Sequence, residues 1–267
     1  MRWKRFTMKM HDSLKPLKTN KMKKSNIILL SAFVIALIAM LALMISVRSY
    51  ISTNIIKGDG NITEQFRDIE NFEKIKVRGN YKVHFTQDSI IELRLITDSN
   101  LHEYIETSVR NNELIIESRK SIMSGKDISV ELSNLFITEV DASAAAHFTT
   151  VNELNLPELR LLANAGARID ITGFFENLSA VQNAGSRIIL RGKADKLKLE
   201  SNAGGSIDAY ELEAGYADVE ANAGASVNVN ARELEAKASA GGTVNYTGNP
   251  VIFGMSTSAG GNIRARN

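Results

Sequence analysis

Four histidines and a scattered set of carboxylates are the side chains best suited to acid–base or metal chemistry in this 267-residue chain. His11 falls in a basic N-terminal segment, His84 and His102 in a region of alternating apolar residues, and His147 just after Ser143-Ala144-Ala145. None has a second histidine or a carboxylate at metal-ligand spacing, and catalysis needs convergent groups of matched pKa. A polysaccharide lyase or hydrolase, the enzyme alternative, would need paired Asp or Glu beside Arg or Lys on one outward sheet. Four residues after each glycine of the repeat described below stand Asp170, Ile189, Asp208, Asn228, Asn245 and Arg264. No two acids fall on adjacent repeats. The absence of cysteine excludes disulfides, thiol catalysis, Cys-ligated zinc and lipid attachment through an N-terminal Cys. The sequence thus assigns no catalytic residue, no metal ligand and no cofactor.

What would position any such residues is a repeat. The phrase Asn-Ala-Gly occurs at Asn164-Ala165-Gly166, Asn183-Ala184-Gly185, Asn202-Ala203-Gly204 and Asn222-Ala223-Gly224. It returns with Ser first at Ser239-Ala240-Gly241 and Ser258-Ala259-Gly260, and a degenerate copy is Ser143-Ala144-Ala145. A near-constant period of about 19 residues is the mark of a solenoid. Seven and five residues before each glycine lie Leu159 and Leu161, Leu178 and Ala180, Leu197 and Leu199, Ala217 and Val219, Leu234 and Ala236, and Phe253 and Met255. Three and five after it lie Ile169 and Ile171, Ile188 and Leu190, Ile207 and Ala209, Val227 and Val229, Val244 and Tyr246, and Ile263 and Ala265. The residues between are mostly polar. A spacing of two on both sides of a bend is strand periodicity with one face buried. The fold class this predicts is all-β: a parallel β-helix, or β-solenoid, in which each repeat is one coil.

Gly, and less readily Asn, tolerates the left-handed backbone a sharp corner needs. Asparagines one coil apart would stand about 4.8 Å from each other, close enough for their amides to bond in a ladder. The expected ladder comprises Asn164, Asn183, Asn202 and Asn222 with the corner glycines Gly166, Gly185, Gly204, Gly224, Gly241 and Gly260. The rival reading, a calcium-binding nonapeptide, needs a glycine–aspartate spacing that Gly204-Gly205-Ser206-Ile207-Asp208 lacks. Variation in repeat length falls in one place, between Tyr210 and Tyr216 and between Asn230 and Glu233, near the corner marked by Gly173, Gly192 and Gly248. One coil buries only about five modest apolar side chains, at about 2 kcal/mol each. Ordering its backbone costs about 1–2 kcal/mol per residue, so the stack exists only as a unit.

Residues 1–25 hold nine Lys or Arg against the single acid Asp12, which leaves 23 basic and 29 acidic residues in the remainder. An acidic body speaks against nucleic acid as a partner. Ile27 to Val47, centred near Leu37, carries no charge, and as a helix it would match a hydrocarbon core of roughly 30 Å. The positive-inside rule puts the tail in the cytoplasm and everything after Arg48 across the membrane. A cleavable signal peptide is the competing reading. The long leader, the long apolar run and the lack of a small-x-small site favour an uncleaved anchor. The predicted organisation is a basic tail over 1–25, a transmembrane helix over 26–48, a linker over 49–65, an N-terminal β region over 66–135 as first coils or cap, and the repetitive β-helix over 136–267.

The β region begins with Gly58-x-Gly60-Asn61 leading into Arg67. Two glycines without a third, and with no helix after them, are not a dinucleotide fingerprint. Phe72-x-x-Ile75-x-Val77-x-Gly79, Tyr81-x-Val83-x-Phe85-x-Gln87, Asn100-Leu101, Val109 before Leu114-x-Ile116, and Ile128-x-Val130 before Leu135 follow in order. With the Ala-Gly corners and the terminal Gly260-Gly261-Asn262-Ile263, this order resembles the auto-transporter adhesin, head GIN domain family of Bacteroidota envelopes. The resemblance covers residues 58–267. It implies a right-handed β-helix exposed outside the cytoplasm, with no established activity and an adhesin label. This chain departs from lipid-anchored relatives in having no cysteine and an apolar helix instead.

The functional expectation is a non-enzymatic, membrane-anchored module, a single-pass protein with its β-helix extracytoplasmic (periplasmic or surface), presenting a polar sheet to a protein or glycan. An envelope-stress signalling component, with the basic tail contacting a partner, is a further alternative. The last coil has no capping segment after Ile263, and an uncovered coil edge pairs readily with another chain. Self-association through that end is expected.

Overall fold

The structure, a computed structural model, describes residues 24–266; the basic tail with His11 lies outside the described residues. Two compact units divide the chain, Met1–Thr53 and Asn54–Asn267. Among the described residues of the first, a helix runs over Lys24–Asn54, in which Ile27, Leu37 and Val47 lie. Its stretch Leu29–Ser46 is long and apolar enough to cross a membrane and buries nothing inside the protein. A helix apolar on every side has no polar face to offer water. Helix occupies 49–54 of the segment read as linker, followed by the strand Ile55–Lys57 and the start of Ile62–Arg67.

The second unit is a β-solenoid of about seven turns. Long strands, Arg168–Gln182, Arg187–Ser201, Ser206–Ala221 and Ser226–Ala238, each follow a corner, bend, and run to the next. Neighbouring rungs pair in parallel: Ile169 faces Ile188, which faces Ile207, which faces Val227. Burial alternates along each rung, so the apolar positions of both periodic sets point inward from Leu159 through Val244. The pairing register shifts between Ile189 and Arg191 and again between Ala209 and Glu213. Length variation is thereby absorbed in an outer bend and leaves the core columns aligned.

The last coil departs from the expected pattern. Phe253 is 64% exposed and Met255 42% exposed, while Tyr246 and Ile263 are half-buried and Ala265 is exposed. The register slips there, with Leu234 opposite Ile252 and Glu235 opposite Gly254. Phe253 is the extra residue. It turns outward and packs edge-on against Tyr216, ring centroids 6.3 Å apart.

At the N-terminal end the order of rungs in space is not their order in the chain. Lys74–Arg78 lies between Glu113–Ser118 and Glu139–Ser143, parallel to both. Tyr81–Gln87 lies in the same way between Ile128–Asn134 and His147–Thr150. The chain lays down the rung 74–87, drops below it to build 113–134, then climbs past it to 139–150. The climb is pinned by Asn134 Nδ2 donating to Phe72 O at 2.6 Å and by Thr138 N donating to Glu73 O at 2.7 Å. The lowest rung is closed by antiparallel strands: Ile62–Arg67 on Glu92–Asp98, Glu92–Asp98 on Ile128–Asn134, and Ile105–Arg110 on Glu113–Ser118. These antiparallel strands cap the lowest rung. A 3-10 turn, Ser99–Tyr104, links two of the cap strands.

Candidate functional site

The corners carry the phrase that organises the repeat. Ala165, Ala184, Ala203 and Ala223 take φ of 50–54°, and the glycines after them φ of 69–74°. Two successive left-handed residues make the mirror-image type I turn, closed where Ala167 N donates to Asn164 O at 3.1 Å and Ala225 N to Asn222 O at 3.0 Å. The left-handed non-glycine residue is thus Ala and not Asn, contrary to the expectation from propensity. The asparagine stands one place earlier and uses its side chain across rungs. Asn183 Nδ2 donates to Asn164 Oδ1 at 3.0 Å, Asn202 to Asn183 at 3.2 Å, and Asn222 to Asn202 at 3.2 Å. Ser239 Oγ continues the column by donating to Asn222 Oδ1. Backbone bonds join the turns as well: Gly166 N donates to Ala184 O, Gly185 N to Ala203 O, Gly204 N to Ala223 O, Gly224 N to Ala240 O and Gly241 N to Ala259 O. Gly260 occupies the last corner, at φ 79°.

The histidines are brought closer than their sequence positions indicate. His147 pairs with Lys82 and Thr149 with His84 on adjacent rungs, and Arg168 and Asp170 stand one rung above. Lys82, His147, Arg168 and Arg187 thus form one outward column, and His84, Thr149 and Asp170 the next. Asp170 is held by Arg191 Nη1 and lies 3.6 Å from Arg168. His84 Nδ1 is 3.1 Å from Thr149 Oγ1. Burial, then the Arg168 charge, lowers the pKa of His147. Far below, in the cap, His102 Nε2 is 3.0 Å from Thr63 Oγ1, and burial lowers its pKa also. A carboxylate clamped by arginine is not free to act as a base. Among the described residues no group of three or more His, Cys, Asp or Glu could hold a metal ion. The juxtaposition of His84, His147 and Asp170 was invisible to sequence spacing because it arises between rungs.

The outward face before the corner offers a shallow groove of about 230 Å³, lined by Glu158, Asn177, Lys196, Lys198, Tyr216 and Asp218 among others. Glu158, Asn177, Lys196, Tyr216 and Glu233 occupy one column on successive rungs. Tyr216 Oη donates to Glu235 Oε2 at 3.3 Å, and Lys237 bonds the same carboxylate group at 3.1 Å. Burial and the Glu235 charge raise the Tyr216 pKa, so its hydroxyl stays protonated. A wider depression of about 570 Å³ lies beside it, lined by Pro157, Phe174, Phe175, Glu176, Lys193 and Asp195 among others. Phe174 is 44% exposed there. Aromatic faces set among donors and acceptors at rung spacing can hold a polar chain in extended form.

These features define a β-solenoid with an outward, laddered polar face. A family model described as "Putative auto-transporter adhesin, head GIN domain" matches residues 71–250, and the chain belongs to that family. The solved structure of a putative adhesin from Bacteroides fragilis is 19% identical, with a TM-score of 0.69, covering 79% of this chain and 100% of that one. A putative lipid binding protein from Parabacteroides distasonis is 16% identical, with a TM-score of 0.67, covering 80% and 100%. A putative adhesin from Parabacteroides merdae is 20% identical, with a TM-score of 0.65 and the same coverage as the second. At these identities the likeness is one of fold. No curated protein matches the chain. The family and these neighbours are described by adhesion or binding and not by enzymatic activity.

Proposed function

We propose that this protein is a membrane-anchored, extracytoplasmic binding module of the cell envelope, non-enzymatic, whose outward groove holds an extended glycan. The observation that carries this is the column Glu158–Asn177–Lys196–Tyr216, which sets alternating polar groups and one aromatic ring at a repeat of about 4.8 Å. Sugar rings stack on aromatic faces while their hydroxyls bond to flanking carboxylates, amides and ammonium groups. The helix Lys24–Asn54 serves as the uncleaved single-pass anchor, with the tail in the cytoplasm.

Full-length protein in detergent micelles, applied to a glycan array, tests the reading. Wild type retains a polysaccharide, and Tyr216→Ala or the pair Lys196→Ala and Lys198→Ala loses at least tenfold in affinity. Release of new reducing ends from the retained polysaccharide would replace this function with a carbohydrate-active enzyme. Protease applied to intact cells tests the orientation: the solenoid is cut or shielded from outside the cytoplasm and the tail is not.

A further inference from the structure

A second cavity, separate from the outward groove, lies beside the lower rungs. It measures about 320 Å³ and is lined by Gly79, Asn80, Tyr81, Ser118, Ser121 and Lys126, over a floor that includes Ile122, Met123 and Ile128. Tyr81 is 1% exposed, and its hydroxyl has no hydrogen-bond partner among the described residues. The Ser118 hydroxyl lies near enough to influence the phenol but not in bonding geometry. A buried hydroxyl left unbonded is destabilising, and Tyr81 lines this cavity.

The wall is arranged to keep that hydroxyl there. Gly79 has φ 122°, and a Cβ on it would come within 2.8 Å of Tyr81 Cε2. The ring therefore lies flat against a backbone that only glycine leaves open. Across the cavity, Ser124 Oγ donates to the buried Asp98 carboxylate and accepts from Lys126 N at 3.1 Å. That anchors the 124–126 turn, which carries the Lys126 side chain at the rim. Among the described residues Lys126 makes no ion pair within 4.0 Å, and no acidic side chain lines the cavity. Acids of the neighbouring segments are engaged: Asp98 with Ser124, Glu117 with Arg78 at 3.4 Å and Asp127 with Lys82 at 2.5 Å. The wall is therefore rich in donors, carries one cation, and has an apolar floor.

We propose that this cavity binds a sugar acid, a pyranose-sized polyol bearing one carboxylate. Lys126 takes the carboxylate, Tyr81 Oη donates to a ring or hydroxyl oxygen, and the Ser118 and Ser121 hydroxyls serve the rest. The volume suits one monosaccharide unit. The assignment does not rest on the outward groove, which shares none of these residues.

D-glucuronate, D-glucose and acetate are titrated calorimetrically into the full-length chain in detergent micelles, against wild type, Tyr81→Phe and Lys126→Gln. Glucuronate binds wild type, and each variant weakens it at least fivefold; glucose and acetate bind at least tenfold more weakly than glucuronate. Tyr81→Phe keeps the ring that packs in the core, and Lys126 is exposed, so both variants fold. Absence of glucuronate binding to wild type overturns the proposal. Equal binding by Tyr81→Phe, or acetate matching glucuronate, overturns it also.

Discussion

The side-chain amide of Gln182 occupies the space that a Cβ on Gly205 would need: that Cβ would fall 1.7 Å from Gln182 Nε2. Gln182 is fully buried, in a column otherwise held by Ala163, Ser201, Ala221 and Ala238. Its amide is satisfied within the solenoid by Ser201 Oγ at 2.6 Å and Ser186 Oγ at 3.2 Å. A large polar residue on one rung and a missing side chain on the next form a matched pair. Gly205→Ala forces the amide out of its bonds and is expected to cost about 1–3 kcal/mol. Gln182→Ala in the same chain removes the clash and recovers part of that loss. Urea midpoints of the two single variants and the double variant measure the coupling; strict additivity would refute it.

The corners predict an asymmetry between alanine and glycine. Gly185 has φ 69°, and a Cβ there would meet nothing within 4 Å. Gly185→Ala should therefore destabilise by roughly 1 kcal/mol through backbone conformation alone. Ala145 holds the equivalent place in the degenerate copy at φ 66°. Ala145→Gly relieves the same strain, less the entropy glycine adds to the unfolded chain, and should stabilise by roughly 0.5–1 kcal/mol. Thermal unfolding of the two variants should move in opposite directions.

Position in the amide column sets the cost of breaking it. Asn202 donates to Asn183 and to Glu200 and accepts from Asn222, whereas Asn164 only accepts, from Asn183. At about 1 kcal/mol per net hydrogen bond, Asn202→Ala should cost about 2–3 kcal/mol and Asn164→Ala about 1 kcal/mol. Equal losses in chemical denaturation would show that the ladder adds nothing to the turns themselves.

Acid should weaken the solenoid first through its histidines. Burial lowers the pKa of both His147 and His102 in the folded state, while the unfolded side chains titrate near ~6.5. Below that pH the unfolded chain takes up protons that the folded chain resists, so stability falls as pH falls through that region. The urea midpoint should be flat above pH 7 and decline toward pH 5, with a shallower decline in His147→Gln. An unchanged slope in that variant would remove His147 from the account.

Much of this architecture is determined by the chain read alone. The rung period, the inward columns from Leu159 to Val244 and the place of each corner follow from residues recurring at fixed intervals, because every rung of a solenoid meets the same environment one period away. The apolar span from Ile27 to Val47 is equally local. What the tertiary structure decided is whatever depends on which rung lies above which. The edge of every rung presents the same ladder of N–H and C=O groups, so no local pattern says that 74–87 stacks between 113–134 and 139–150. The union of His84, His147 and Asp170 on one face follows from that stacking, and so does the cavity between the Gly79–Tyr81 corner and the turn around Ser124. Phe253 turned outward for the same reason: its alternation was intact, but the pairing slipped by one residue against the rung below, and a slip of one exchanges inside for outside.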